Sequence, residues 1–391
     1  MDFKNIQYYI KQSALNNIDS LIYNKKIGKS DLNIIIENIK IEKKAHLKLP
    51  TFKENNCIFT QKSFEQSTAE SIAILKSNLF SGSNILILAG GLGVDDWAFS
   101  KTFETVISID KDAELNEIAM YNFENLNCVN IERITQNAED FILQNSEKKF
   151  NYIYIDPDRR GTGKKEILLS EHLPNVIKMF PELSKISDNI LIKCSPLYDI
   201  KMAHIELPPL TNCYSLSYKG EMKELLLHIN LKNENDCEYH CIDIDDQKTI
   251  SYSIKKDALS TRIEKLQDLK LPYFYDLGAS IVKMRLNNDY ASELNLKSID
   301  IKVPFYMSES NIDRFIGKKF KVISVFDKSD KSFEKYLKQA NIKEINIKVR
   351  GLNFNSTDLL KKWRLKEGGL SIIYVFPFKN EVKIALLDRI K

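Results

Sequence analysis

Five short apolar runs recur between residues 84 and 196: NILILAGG (84–91), TVISID (105–110), NIERIT (130–135), FNYIYID (150–156) and NILIKCSP (189–196). Segments of helix length separate them, and this alternation constrains the fold more than any other feature. Short β-branched and aromatic runs read as strands, and parallel strands need a crossover of a dozen or more residues, usually a helix. The region is therefore expected to be a parallel sheet with helices on both faces. CYSLSYKGEMKELLLHINL (213–231) adds two strands joined at Lys219-Gly220, a hairpin on the sheet edge.

The flanks differ in character. Residues 1–80 read as helices: SDLNIIIENIKI (30–41) opens on Ser30 as a cap, and STAESIAILKSNLF (67–80) has apolar positions along one side. Beyond 232, DCEYHCIDIDDQKTISYSI (236–254) predicts a strand pair and KDALSTRIEKLQDL (256–269) a helix. From 320 the order is strand, helix, strand, helix, strand, strand: FKVISVF, SFEKYLKQA, EINIKVRG, STDLLKKWRL, SIIYVFPF, VKIALLD. A chain of 391 residues exceeds one ordinary core. The expected organisation is an N-terminal helical region (1–80), an α/β domain (81–232), a small α+β, ferredoxin-like insert (233–308) and a basic domain (309–391).

Charge is uneven along the chain. Residues 310–391 carry 19 Lys and Arg against 9 Asp and Glu, while the rest carries 38 against 44. A basic module on a mildly acidic body points to a polyanionic partner, although solvated lysine-rich faces give the same count. The six cysteines include no CxxC pair, and CEYHC (237–241) lacks a second ligand pair, so no metal is predicted. No apolar run approaches a membrane span, and the start of the sequence lacks the shape of a signal peptide. A cytoplasmic location and no membrane partner are expected.

In open parallel sheets, ligands lie beyond the C-terminal ends of the strands. The first end holds Gly90, Gly91 and Gly93; the second holds Asp110, twenty residues after Gly90, placed to accept ribose hydroxyls. Asn137, Ala138 and Glu139 follow the third strand, and Asp156 ends the fourth. Counting Gly91 and Gly93 as the first glycines of a dinucleotide fingerprint puts Asp96 in the third place, against a pyrophosphate. The pattern thus favours an adenosine cofactor without phosphates, S-adenosylmethionine.

ILAGGLGVD, SIDKD, NAED, YIDPDRRG and LIKCSPLYDI resemble the successive motifs of a class I methyltransferase. Their order is similar to that of a bacterial family with a THUMP-like C-terminal domain. FEQSTAES (64–71), GEMKELLL (220–227), YFYDLGASIVKMRL (273–286), INIKVRG (345–351) and KKWRLKEGG (361–369) extend the resemblance over nearly the whole chain. It implies a Rossmann-like sheet, S-adenosylmethionine as cofactor, and RNA (rRNA or tRNA) as substrate. It also implies cofactor contacts from Gln66, Thr68, Ala89, Gly90, Gly91, Gly93, Asp110, Lys111, Asn137, Ala138 and Asp156. Three departures stand out. An acid late in the first strand is replaced by Ile87, Leu88 and Ala89, leaving Asp95 or Asp156 to offset the sulfonium. A glutamate-proline pair is Asp276-Leu277. An Asp/Asn-Pro-Pro-aromatic tip is Asp156-Pro157-Asp158-Arg159.

That tip defines the expected chemistry. Asp156 and the Pro157 carbonyl can hold an N–H donor, and Asp158 is a candidate general base. The Arg159 guanidinium can lie on a base or fork onto a phosphate, with Arg160, Lys164 and Lys165 extending the positive rim toward substrate. Ion pairing of Asp158 with the arginines, merely bracing the loop, is the competing explanation. Lys193 and Ser195 are expected to line the floor without chemical roles, and Glu221 and Glu224 to be solvated turn acids. Two other functions remain open: an RNA-binding protein that has lost its cofactor, and a methyltransferase for a protein or small molecule.

Overall fold

The structure, a computed structural model, describes residues 2–13, 27–158, 168–255, 263–329 and 331–390. The chain divides into two compact units: residues 1–213 with 224–237, and residues 214–223 with 238–391.

In the first unit, the runs of the sequence become strands β1 (Gly82–Leu88), β2 (Phe103–Asp110), β3 (Ile131–Thr135), β4 (Tyr152–Ile155) and β5 (Asn189–Cys194). They pair in parallel in the order 3-2-1-4-5. A strand reaching into both units, β6 (Asn212–Tyr218), leads through Lys219-Gly220 into β7 (Glu221–Asn230), and β7 runs antiparallel along β5. Lys219 and Gly220 have φ of 52° and 78°, the left-handed pair that a tight two-residue hairpin requires. Ile85 to Leu88 are fully buried, which explains their unbroken apolar character: β1 is covered on both faces. Each such side chain contributes about 1.5–3 kcal/mol relative to exposure.

The N-terminal helices are part of this unit. Ile34, Ile35, Ile41 and Phe52 pack with Trp97, Ile118 and Phe123 from the helices that follow β1 and β2. The helix Lys29–Lys48 is capped by Gly28, so Ser30 lies inside its first turn rather than at the cap. Among the described residues no helix is long and apolar enough to cross a membrane.

The second unit holds the hairpin β8 (Glu238–Ile244) and β9 (Thr249–Lys255) and a seven-stranded sheet. That sheet contains β10 (Tyr273–Leu277), β11 (Lys297–Ser298), β12 (Phe305–Ser308), β13 (Gly317–Asp327), β14 (Glu344–Val349), β15 (Lys366–Phe378) and β16 (Glu381–Arg389), in the order 11-12-10-13-16-15-14. The segments 233–308 and 309–391 thus contribute strands to one sheet. One face packs the helices Ser332–Gln339 and Ser356–Trp363 through Phe333, Leu337, Leu359, Ile373 and Ile384. The other face is lined by Phe274, Phe305, Phe320, Tyr374 and Phe376.

The sheet is strongly curled. Three strands lie between β10 and β14, so a flat sheet would separate them by about 19 Å. Yet Tyr374 of β15, beside β14, packs on Phe274 and Phe305 at 5.2 Å between ring centroids. The helix expected over 256–269 is not formed where it is described: 263–269 is irregular, with Lys265 bridging Ser298. Its earlier part lies outside the described residues.

Candidate active site at the strand ends

Beyond Leu88 the backbone turns through Ala89, Gly91 and Gly93, with φ of 61°, 57° and 85°. The three glycines serve different ends. A Cβ on Gly90 would stand 2.2 Å from Arg133 Nη1, and one on Gly93 would stand 2.4 Å from the Phe123 ring. Both are glycine because the protein packs against them. Only Gly91 faces open space, with no atom within 4 Å of an added Cβ.

Arg133 of β3, its side chain 1% exposed, organises this turn. Its guanidinium donates to Asp96 (2.5 Å), Ser108 Oγ (2.8 Å), the Gly91 carbonyl (2.6 Å) and Asn116 Oδ1 (2.7 Å). Asp96 therefore faces Arg133 in the interior. The conflict with a pyrophosphate inferred from its place in the motif does not arise.

The four strand ends form one hydrogen-bonded row. Gly91 N–H donates to Asp110 Oδ2 at 2.8 Å, Gln136 N–H to the Asp110 carbonyl at 3.1 Å, and Asp156 N–H to the Leu88 carbonyl at 3.3 Å. Asp110 Oδ1 accepts from Asp112 N–H at 3.0 Å. A carboxylate offers about four lone-pair sites, so acceptor capacity remains for vicinal hydroxyls. Asn137 uses its side chain to cap the helix Ala138–Gln144, Ala138 is buried, and Lys111 is exposed. Gln66, half-buried, ends the helix Gln61–Gln66.

Behind Asp156 lies a buried charge network. Lys193 Nζ contacts Asp156 Oδ2 at 2.6 Å, Thr68 Oγ1 at 2.9 Å and Asp95 Oδ2 at 3.8 Å. Asp95 also accepts from Thr68 (2.8 Å) and the Tyr154 hydroxyl (2.9 Å), and pairs with Lys76 at 3.0 Å. Lys76, fully buried, pairs with Glu224 at 2.8 Å and donates to Tyr154 at 2.7 Å. Burial works against the Asp95 carboxylate, but Lys76, Lys193 and Thr68 outweigh it and hold its pKa down to about 2. Burial likewise disfavours the Lys193 ammonium, but Asp156, Asp95 and Glu224 raise it above its ordinary range. Burial, with Asp95 and Asp156 nearby, keeps Tyr154 a neutral phenol.

Two expectations are corrected here. Glu224 is no solvated turn acid: its neighbour Lys76 draws it inside, where it is 3% exposed, and burial pushes its carboxyl up. Glu221 does stay exposed, paired with Lys223. Lys193 is more than floor lining, since its ammonium fixes Asp156. Three carboxylates face two ammonium groups, and Asp156, its side chain 35% exposed, is the member open to a ligand. A cationic group beside it would balance the set.

Past Asp156, Pro157 is buried and Asp158 is exposed. The Asp158 backbone pairs with Leu173 in both directions (2.7 and 3.1 Å), fixing the direction of the tip. Arg159, Arg160, Lys164 and Lys165 lie outside the described residues. Away from the strand ends, His204, Cys213 and Cys237 place their ligand atoms within 4.8 Å of one another, with the two sulfurs 3.5 Å apart. His240 of CEYHC instead contacts Ser253 Oγ at 2.7 Å and stacks on Tyr214.

Parallel strands in the order 3-2-1-4-5, an antiparallel β7, a glycine turn and Asp110 define a class: the Rossmann-like fold of class I methyltransferases. The particulars come from comparison. Residues 75–168 match the family model "Conserved hypothetical protein 95", and residues 317–386 match "THUMP domain-like". A protein assigned as a methyltransferase from Porphyromonas gingivalis W83 superposes over 100% of both chains with a TM-score of 0.86 at 20% identity, which establishes the shared fold. An O-methyltransferase from Bacillus cereus in complex with SAH matches 49% of this chain and 97% of its own (13% identity, TM-score 0.36). M. capricolum TrmK with S-adenosyl-homocysteine matches 46% and 71% (12%, 0.32). These two are too distant in shape to bear on the site. No curated protein matches the sequence.

Proposed function

We propose that this chain is an S-adenosylmethionine-dependent methyltransferase that modifies a base in structured RNA, ribosomal or transfer. The observation that carries the reading is the row of strand ends, in which Gly91 leaves open space beside an Asp110 carboxylate with acceptor capacity to spare. Asp110 would hold the ribose hydroxyls, Gly91 and Ala89 would border the amino acid moiety, and Asn137 and Ala138 would border the adenine. The cofactor, when bound, supplies an electrophilic methyl group on a sulfonium.

The protein's own contribution is positioning and electrostatics. Asp156, anchored on Oδ2 by Lys193, would use Oδ1 to accept from the attacking N–H and would set negative charge against the sulfonium. Lys193, held protonated, is no proton acceptor; Asp158, the exposed acid two residues beyond Asp156, would take the proton released. Arg159, Arg160, Lys164 and Lys165 would hold substrate phosphates and bases. The basic C-terminal region, ten positive charges in excess, supports RNA as the partner.

Calorimetric titration with S-adenosylmethionine and S-adenosylhomocysteine tests the cofactor, and mass spectrometry of nucleosides from cells with and without the gene tests the substrate. Binding of both ligands, abolished by Asp110→Ala, and a methylated nucleoside missing from the deletion strain are expected. If neither ligand binds, the enzyme reading falls.

A further inference from the structure

Two motifs of the sequence remain without a task, YFYDLG (273–278) and INIKVRG (345–351), and the structure brings them together. Asp276 of β10 is 4% exposed. It accepts from the Tyr374 hydroxyl at 2.9 Å and forms an ion pair with Lys348 of β14. The Lys348 ammonium also lies 5.3 Å from the centroid of the Tyr374 ring. Three strands intervene between β10 and β14, so only the curl of the sheet permits this meeting.

Register places more cations on the same face. Asp276 is opposite Lys318, Phe320 is opposite Arg389, and Lys348 is opposite Tyr374. Side chains alternate along a strand, so Lys318 shares a face with Phe320, Arg389 with Leu387, and Lys348 with Arg350. Arg350 continues the ladder, its N–H donating to the Val375 carbonyl at 3.1 Å. Phe320, Leu387 and Tyr374 belong to the aromatic core inside the curl, so that lining ends in a charged rim. Burial, then Lys348, Arg389 and Arg350, push the Lys318 ammonium below its ordinary range. Of the principal charges acting on it, only Asp276 is negative. Four cations thus surround one carboxylate that is already committed to Lys348 and Tyr374, and three of them, Lys318, Arg350 and Arg389, are exposed and open to an anionic ligand.

We propose that this rim is a phosphate clamp for RNA: Lys318, Lys348, Arg350 and Arg389 grip a phosphate-bearing segment, and Asp276 with Tyr374 are positioning residues that fix Lys348. The clamp rests on the RNA reading above and adds where the polyanion is held. Arginine forks match phosphate oxygens bidentately, whereas a lysine ammonium acts as a point charge, and the rim offers both. A surface that merely needed solubility would not sink a carboxylate and a tyrosine to hold one lysine in place.

The test compares the full-length protein with Lys318→Gln/Arg389→Gln, two exposed positions whose change leaves the core intact. Fluorescence anisotropy with a 12-nucleotide RNA, carrying either a 5′-phosphate or a 5′-hydroxyl, and with bulk tRNA is followed against salt. Each lost phosphate contact should flatten the log–log salt dependence by about 0.7–0.9. The double variant is expected to bind at least about tenfold more weakly near 0.1 M salt, with a slope lower by about 1.4–1.8. S-adenosylhomocysteine affinity and melting temperature should be unchanged. Loss confined to the 5′-phosphorylated RNA assigns a terminal phosphate; equal loss on both assigns the backbone. If the wild type binds RNA and the variant binds equally well with the same slope, the clamp is overturned and the RNA reading stands. If the wild type binds S-adenosylhomocysteine but no RNA, the RNA reading is overturned and the clamp with it.

Discussion

Replacing Lys76 by Met tests the charge network directly. Met keeps most of the aliphatic stem, so the change removes charge and hydrogen bonds with little loss of packing. In the wild type the ammonium meets Asp95 at 3.0 Å, Glu224 at 2.8 Å and Tyr154 at 2.7 Å, with none of its side chain exposed. Removing one partner of a buried ion pair costs about 3–5 kcal/mol, because the remaining charge is left uncompensated. Here two carboxylates lose a partner, but Lys193 still stands 3.8 Å from Asp95, and Glu224 can take up a proton. The expected cost is about 3–5 kcal/mol at pH 8 rather than twice that. Its pH dependence follows from the same logic. The wild-type Asp95 carboxyl is held down to about 2, so its contribution is present above the unfolded value and lost as pH falls through 2. Without Lys76 both carboxyls rise, the folded variant gains protons that the unfolded chain does not hold, and the deficit shrinks between pH 8 and pH 5. Urea unfolding at both pH values measures it, and Lys76→Met/Glu224→Gln should recover about 1–3 kcal/mol of coupling. A deficit below about 1 kcal/mol, or one equal at both pH values, would refute the ion-paired description.

Four further outcomes follow from the geometry. Gly90→Ala should cost about 1–3 kcal/mol in thermal unfolding, because its Cβ meets Arg133 and Ser108. Gly91→Ala, with space but φ of 57°, should cost about 1–2 kcal/mol while weakening S-adenosylhomocysteine binding disproportionately in calorimetry. Arg133→Gln, which loses most of four hydrogen bonds around the turn, should weaken that binding by more than about tenfold, while Asp110→Ala should abolish it. Lys193→Met should reduce kcat by about a hundredfold or more with cofactor affinity changed only a few-fold; unaltered turnover would remove Lys193 from the positioning of Asp156.

The sheet was legible in the sequence because it depends on local patterns. β1 to β5 and the Lys219-Gly220 turn each announce themselves within ten residues, by apolar runs and by a dipeptide suited to left-handed φ. The irregular 263–269 segment was misread because helical spacing of apolar residues survives where tertiary pairing, here Lys265 with Ser298, takes the backbone instead. The site was legible as a set of positions but not as a circuit. Gly91, Asp110 and Asp156 follow from their place after strands, a one-dimensional rule. Lys76 meets Glu224 across 148 residues, and Arg133 meets Asp96 across 37. No periodicity links such pairs. One signal was available: Lys76 lies within an otherwise apolar helical face, and Arg133 lies within a β-strand, and both positions demand a buried partner.

Those two cations also explain why consecutive acids, Asp95 and Asp96, follow the glycine turn. They sit side by side on one short helix, both buried, yet each answers to a different strand's neighbourhood: Asp96 to Arg133 of β3, and Asp95 to Lys76 and Lys193. Asp96 locks the turn from below. Asp95 does what the missing acid at the end of β1 would be expected to do, but at one remove. It is too well compensated to offer charge to a ligand itself, since Lys76, Lys193, Thr68 and Tyr154 all act on it. What it provides is half of the hold on Lys193, and Lys193 in turn sets the Asp156 carboxylate, the exposed end of the chain of charges. Under the proposed function, the negative charge nearest the sulfonium and the acceptor for the attacking group would be the same residue. Cofactor affinity and substrate orientation would thereby be coupled through Asp156, so Asp156→Asn is expected to impair both, where Asp110→Ala impairs binding alone. Calorimetry on the two variants, with single-turnover rates at saturating cofactor, separates these cases; Asp156→Asn with full cofactor affinity would show that the sulfonium is balanced elsewhere.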